Sequence, residues 1–120
     1  ARIHTMAVVG SDPTMVLEGP IPATEKVLEK SGLTIDDMDL YEVNEAFGSV
    51  PLAWAKAVGA DLAKLNVNGG AQALGHPLGA TGSKLAGTLI YEVRRRGGKY
   101  GLLAICEGLG TANATIFEVL

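Results

Sequence analysis

An α/β fold, with helices packed on the faces of a mixed, mostly parallel five-stranded sheet, is the class this sequence predicts. Short apolar strand-like runs alternate with helix-period stretches in the order βαβαβαββ, and such alternation places helices over a sheet through right-handed crossovers. Only a few residues join the last two strand-like runs, so that pair must be antiparallel. With 48% apolar and 19% charged residues in a chain of 120, one domain can bury roughly two-thirds of its unfolded surface.

The first strand is predicted over Ile3 to Val9, a β-branched apolar run. Gly10 to Pro22 holds three prolines and two glycines and makes an irregular connection. Ala23, Val27 and Leu28 then fall at helical spacing up to Lys30, with Pro22 at the start and Gly32 beyond the end. Asp36 to Val43 alternates as a strand. The next helix starts at Ser49 or Val50, because Pro51 is tolerated only in a first turn, and Gly59 stops it after Val58. Leu65 to Val67 is a short apolar strand. Ser83 to Arg95 carries Leu85, Ala86, Leu89, Ile90 and Val93 on one face. Arg94, Arg95 and Arg96 end that helix, where cations suit the dipole better than a phosphate site would explain them. Gly101 to Cys106 and Thr111 to Val119 are the last strands. There is no linker, repeat or low-complexity segment, so residues 1–120 form one domain.

A net charge of −3 gives no electrostatic argument for nucleic acid or an acidic membrane. One cysteine precludes an intrachain disulfide and suits a reducing compartment. No apolar run is long enough to span a bilayer, and the opening ARIHTMAVVG lacks a signal-peptide layout. A soluble, cytoplasmic protein is expected. The start, running straight into an apolar segment, predicts a piece of a longer protein.

Three polar groups fall at the carboxyl ends of predicted strands, where open α/β sheets form sites. Asn44 follows Val43, His76 lies in the turn after Val67, and Cys106 ends its strand. Each has a plainer reading: Asn44 is a good helix-entry residue, and a lone cysteine is often a small buried hydrophobe. Their arrival at one edge favours chemistry, because a thiol and an imidazole within reach support acyl transfer. The histidine sits in NVNGGAQALGHPLGATGS, Asn66 to Ser83, a glycine-rich turn in which Pro77 biases His76 toward extended backbone. GATGSK is not a phosphate-binding P-loop, because its glycine spacing is wrong. Gly108-Leu109-Gly110 lacks the third glycine of a dinucleotide site and precedes a strand. His4 has no evident partner and reads as structural.

NEAF (Asn44 to Phe47), NGGAQALGHPLGATG (Asn68 to Gly82) and CEGLG (Cys106 to Gly110) together resemble the C-terminal half of the thiolases, the acyl-CoA acetyltransferases. Order and spacing match over essentially the whole chain, and the GHP turn is the most specific of the three. The resemblance implies a thiolase-like half of βαβαβαββ order. It also implies an acyltransferase that cleaves 3-ketoacyl-CoA with CoA or condenses acyl-CoA units, in fatty-acid, other lipid or steroid degradation. Coenzyme A and acyl-CoA would be substrates, with no covalently bound cofactor and no metal; residues that bind CoA are not assigned. His76 resembles the histidine that activates the nucleophilic cysteine and serves an oxyanion hole. Asn44 resembles the residue holding the water that completes that hole. Cys106 resembles the acid/base at the α-carbon, and the backbone N–H of Gly108 resembles part of a second oxyanion hole.

Two departures matter. The family's usual Cys-x-Gly-Gly-Gly has Leu109 at its middle glycine, where a side chain is expected to narrow the site or tilt the backbone. The nucleophilic cysteine and the CoA-binding loop domain belong to parts of the family fold not found in these residues, so the chain alone is expected to be inactive. The expected partners are that N-terminal half and further copies in an oligomer, with the apolar face of the Ser83–Arg95 helix as the association surface. A non-catalytic thiolase-like lipid- or protein-binding module is the alternative, and it would need none of Asn44, His76 and Cys106.

Overall fold

A computed structural model describes residues 1–120. Four strands form one mixed sheet: β1 (Arg2–Gly10), β2 (Leu40–Val43), β3 (Tyr100–Cys106) and β4 (Thr111–Glu118), in the order β1-β4-β3-β2. Strands β2 and β3 are parallel, whereas β4 runs antiparallel to both β3 and β1. Its hairpin-length link to β3 leaves it beside that strand, and β1 adds on its far side. The sheet is therefore mixed but not mostly parallel.

The expected fifth strand, Leu65 to Val67, shrinks to a single parallel bridge between Tyr41 and Leu65. Asn66 is the cause. Its backbone turns to a φ of 47°, and its side chain takes the place of a strand. Asn66 Oδ1 accepts from the Val43 N–H at 2.8 Å, and Nδ2 donates to the Val43 carbonyl at 2.9 Å. The ladder on that edge is satisfied by one amide side chain, so a longer strand is not needed.

Helix α1 (Pro20–Ser31) begins three residues before the predicted Ala23, since prolines at the first positions of a helix lack N–H groups that would be unpaired there anyway. Gly32 ends it at a φ of 73°. Helix α2 (Ser49–Val58) and its stop at Gly59 fall where expected. A short helix, α3 (Gly70–Leu74), occupies part of the stretch read from sequence as a glycine-rich turn, and α4 (Thr81–Arg95) follows.

The two faces of the sheet are covered differently. Helices α1 and α2 pack on Tyr41, Val43, Leu102, Ala104, Ala114 and Ile116, the larger core. Trp54 of α2 is fully buried there and donates from Nε1 to Thr24 Oγ1 at 2.8 Å. On the other face α4 seats Leu85, Leu89 and Val93 against Leu40 and Leu103. Three residues of the stripe read as an association surface, Leu85, Leu89 and Val93, are thus taken by the chain's own sheet, whereas Ala86 and Ile90 stay half-buried. Beyond α4 the same face is open: Met6 and Val8 of β1 remain 51% and 61% exposed. At the end of α4, Arg95 and Arg96 both bind Glu92, at 2.6 and 2.7 Å, in keeping with a helix terminus.

Helix α4 approaches the sheet closely at Gly101, where an added Cβ would lie 2.9 Å from Leu89 Cγ. Gly101→Ala is expected to lever α4 away and cost about 1–3 kcal/mol, read as a lower midpoint in chemical denaturation.

Candidate active site

The carboxyl ends of β2 and β3 and the loop from α3 to α4 meet at one edge of the sheet. Asn44 continues β2 by one residue, its N–H donating to the Ala104 carbonyl at 3.0 Å, and its side chain is fully buried. It is not a helix cap, because α2 starts only at Ser49. Residues 40, 42 and 44 alternate with Tyr41 and Val43, so Asn44 faces the α4 side.

His76 reaches the same place from the loop, and the next element holds it there. Its Nδ1 lies 2.7 Å from Thr81 Oγ1, in the first turn of α4. Thr81 Oγ1 sends its own hydrogen to the Pro77 carbonyl at 2.9 Å. A hydroxyl has one proton, so toward the imidazole it can only accept. The hydrogen-bond network therefore assigns the ring proton to Nδ1 and leaves the Nε2 lone pair free. That nitrogen faces Asn44 Nδ2, a donor, at 3.4 Å.

The loop carrying His76 is anchored at two further points. Glu45 accepts the Gln72 N–H through Oε2 at 2.9 Å and the Asn66 side chain through Oε1 at 3.0 Å. Its carboxylate fills the space where any side chain on Gly70 would stand, with the nearest atom 2.7 Å from the ideal Cβ. Lys84 of α4 donates to the carbonyls of Leu74 and Gly75.

Cys106, at the end of β3, shares a pocket of about 400 Å³ with His76, Gly108, Val16, Leu17 and Ala46. Asn44 does not line the pocket itself and meets the site through its contact with His76 Nε2. Burial pushes the Cys106 thiol above its ordinary pKa, and the charge of Glu107 adds to the rise. Glu107 is itself held by Asn113 Nδ2 at 2.5 Å. Leu109 neither narrows the pocket nor lines it. Its side chain is 83% exposed, while its backbone adopts the left-handed conformation (φ 58°, ψ 34°) that glycine would take more easily. The turn is pinned at Gly110, whose carbonyl accepts from both the N–H (2.7 Å) and the hydroxyl (2.9 Å) of Ser11.

Thr81, Glu45, Ser11 and Glu42 belong to the site and were not singled out from sequence. The signals were present in part, since Thr81 and Glu45 lie inside the quoted motifs and Glu42 is the charged residue of an otherwise apolar strand, LYEV. Glu42 is buried, and burial, reinforced by the nearby Glu45 charge, raises its pKa from 4.5 to about 7. Two buried side-chain oxygens have no hydrogen-bond partner, Glu42 Oε1 and Asn44 Oδ1.

The family model for the thiolase C-terminal domain matches residues 1–119. The steroid 3-ketoacyl-CoA thiolase FadA6 of Mycobacterium tuberculosis is 58% identical over 120 residues, covering all of this chain and 30% of that protein. A 3-ketoacyl-CoA thiolase of Vibrio cholerae is 51% identical over 121 residues, covering 98% of this chain and 31% of the relative. The crystal structure of human mitochondrial 3-ketoacyl-CoA thiolase in complex with CoA superposes with a TM-score of 0.97 at 48% identity, over 100% of this chain and 30% of that one. The chain thus spans about 30% of the length of the curated relatives it matches.

Two outcomes follow from the geometry. An alanine at Gly110 (φ 82°) would put its Cβ 2.6 Å from the Ser11 carbonyl oxygen, whereas one at Gly108 meets nothing within 4 Å. Gly110→Ala should cost roughly 2 kcal/mol or more, and Gly108→Ala about 1 kcal/mol or less, by equilibrium unfolding. For Glu42, the folded pKa lies above the unfolded one, so its contribution is fully present below about pH 4.5 and is lost as pH rises through about 7. The parent's stability relative to Glu42→Gln should therefore fall by up to about 3 kcal/mol over that window, as urea denaturation would report.

Proposed function

Because this chain belongs to the thiolase family, as its C-terminal domain, we propose that it is the C-terminal catalytic half of an acyl-CoA acyltransferase. The complete enzyme cleaves 3-ketoacyl-CoA with CoA, or runs the reverse condensation. The observation that carries this reading is the hydrogen-bonded imidazole: Thr81 fixes the His76 proton on Nδ1 and leaves Nε2 basic, in the pocket that Cys106 shares.

In cleavage, His76 Nε2 takes the proton of the nucleophilic cysteine supplied by the N-terminal half. The thiolate attacks the 3-keto carbon, and the C2–C3 bond breaks to leave an acyl-enzyme and the enolate of acetyl-CoA. Once protonated, Nε2–H becomes a donor to the thioester oxygen, beside a water held by Asn44. Cys106 gives its S–H proton to the enolate carbon. The raised thiol pKa supports this role, because the group stays protonated until the carbanion needs it. The Cys106 thiolate then takes the proton of the CoA thiol, which attacks the acyl-enzyme. The Gly108 N–H serves the oxyanion formed there, and the released cysteine thiolate recovers its proton from His76 Nε2.

The substrate is the CoA thioester of a degraded lipid or steroid chain. Support comes from the apolar Val16–Leu17 wall of the pocket and from the likeness to the M. tuberculosis steroid 3-ketoacyl-CoA thiolase. The N-terminal half and the CoA-binding loop domain complete the site in an oligomeric enzyme, and the open face beside α4, with Met6 and Val8, suits such a partner. No helix is long and apolar enough to cross a membrane, and the lone free cysteine suits a cytoplasmic enzyme.

Burst labelling with radioactive acetyl-CoA tests the roles in a protein that includes the N-terminal half. His76→Ala should form no acyl-enzyme, because it loses both the base and an oxyanion donor. Cys106→Ala should accumulate acyl-enzyme while condensation drops by roughly a hundred- to ten-thousand-fold. Equal labelling of both variants would overturn the assignment. The chain of 120 residues alone should show no acetoacetyl-CoA cleavage above a Cys106→Ala control.

A further inference from the structure

The proposed roles leave two buried oxygens unexplained, and both come from the stretch formed by β2 and the residue that continues it. Glu42 Oε1 and Asn44 Oδ1 are the unpartnered buried side-chain atoms of the chain. They lie two residues apart on one strand, on the same side of the sheet, where successive same-face residues stand about 6.6 Å apart along the backbone. An extended glutamate and an asparagine can meet across that gap, directly or through one trapped water. Both atoms are acceptors as long as Glu42 is ionised, and each unmet buried acceptor costs about 1–3 kcal/mol. A single proton removes both deficits, since a neutral carboxyl donates and the amide oxygen accepts.

We propose that Glu42 is held as the neutral acid and that its carboxyl proton binds Asn44 Oδ1, making Glu42 the residue that orients the Asn44 amide. With Oδ1 turned toward Glu42, Nδ2 must face His76, as the 3.4 Å contact has it. An ionised Glu42 would favour the opposite flip, drawing Nδ2 toward its own oxygens and presenting Oδ1 to the basic Nε2 of His76. Two acceptors would then oppose each other, and the donor side of Asn44 would be lost to the site.

The surroundings favour the neutral form. Leu103 is the register partner of Glu42 on β3. Leu85 and Leu89 of α4 cover the same side of the sheet, and Lys84 directs its ammonium to the Leu74 and Gly75 carbonyls instead. The charged group that acts on Glu42 is the Glu45 carboxylate, which repels a second negative charge. His76 lies beyond Asn44 and meets it through Nε2.

This inference rests on the proposed role of Asn44, but its test reads an amide and not turnover, so the two can fail separately. In the ¹³C,¹⁵N-labelled chain, the Glu42 carboxyl carbon should titrate near neutrality. The Asn44 side-chain amide signals should shift with the same midpoint, and their cross-relaxation to the His76 ring should fade above it. Glu42→Gln, which keeps an N–H donor, should hold the low-pH Asn44 signals at every pH, whereas Glu42→Leu should lose them. A Glu42 carboxyl already ionised at pH 5.5 would overturn the proposal. So would Asn44 signals indifferent to its titration, or an Asn44 amide in Glu42→Leu unchanged from the parent.

Discussion

The site depends on where one hydroxyl proton goes. Thr81 sends it to the Pro77 carbonyl, and everything upstream of the imidazole serves to keep it there. Pro77 fixes its own φ, and the first turn of α4 carries Thr81 as a buried residue. Helix α4 in turn is seated on the sheet by Leu85, Leu89 and Val93, with Gly101 permitting the close approach. The apolar core of this face thus sets the tautomer of His76. Had Thr81 been free to donate toward the ring, Nδ1 would be the acceptor and Nε2 would carry the hydrogen. The same imidazole would then present a donor to the pocket from the outset.

Much of the fold was legible because its signals are local. Gly32 and Gly59 end their helices in left-handed conformations, as glycines past a helical run should. The alternation through Ala112, Ala114 and Ile116 of β4 falls in one core, as the sequence reading expects. What was misread is non-local. Nothing in a single strand says that β4 inserts between β3 and β1, so the expectation of a mostly parallel sheet overcounted parallel pairs. The strand at Leu65 was lost to Asn66, whose side-chain amide imitates a backbone amide. An asparagine between leucine and valine is a weak mark against strand propensity, and only the partner backbone at Val43 turns it decisive.

The candidate residues converge because the carboxyl ends of two strands, β2 and β3, meet the loop between α3 and α4. His76, Cys106 and Gly108 share one pocket, and Asn44 meets it through His76. The residues that hold them were harder to see, since they act on backbone. Glu45 binds an amide N–H of α3, and Ser11 binds the Gly110 carbonyl from 99 residues away in sequence. Leu109 illustrates the limit of reading a side chain without its backbone. In a left-handed turn its side chain swings outward, so the departure from glycine costs backbone energy and leaves the pocket walls unchanged.

Burial gives this domain two acids that favour their protonated forms, the thiol of Cys106 and the carboxyl of Glu42. In both cases the causes lie within the chain: desolvation by the sheet and its helices, with a neighbouring carboxylate, Glu107 or Glu45, working in the same direction. No cation from a second domain is needed to set them, and none would help, because a positive charge would favour the ionised forms. On the proposed function this divides the labour physically. A nucleophile must be made anionic by a base in contact with it; on that reading His76 is the base, and the nucleophile comes from the N-terminal half. Proton donation to a carbanion instead calls for a weak acid kept neutral and dry, which a half domain can build alone. On that reading the open sheet face beside α4, with Met6 and Val8, suits the N-terminal half, and the proton-handling side of the pocket is built by this chain's own burial.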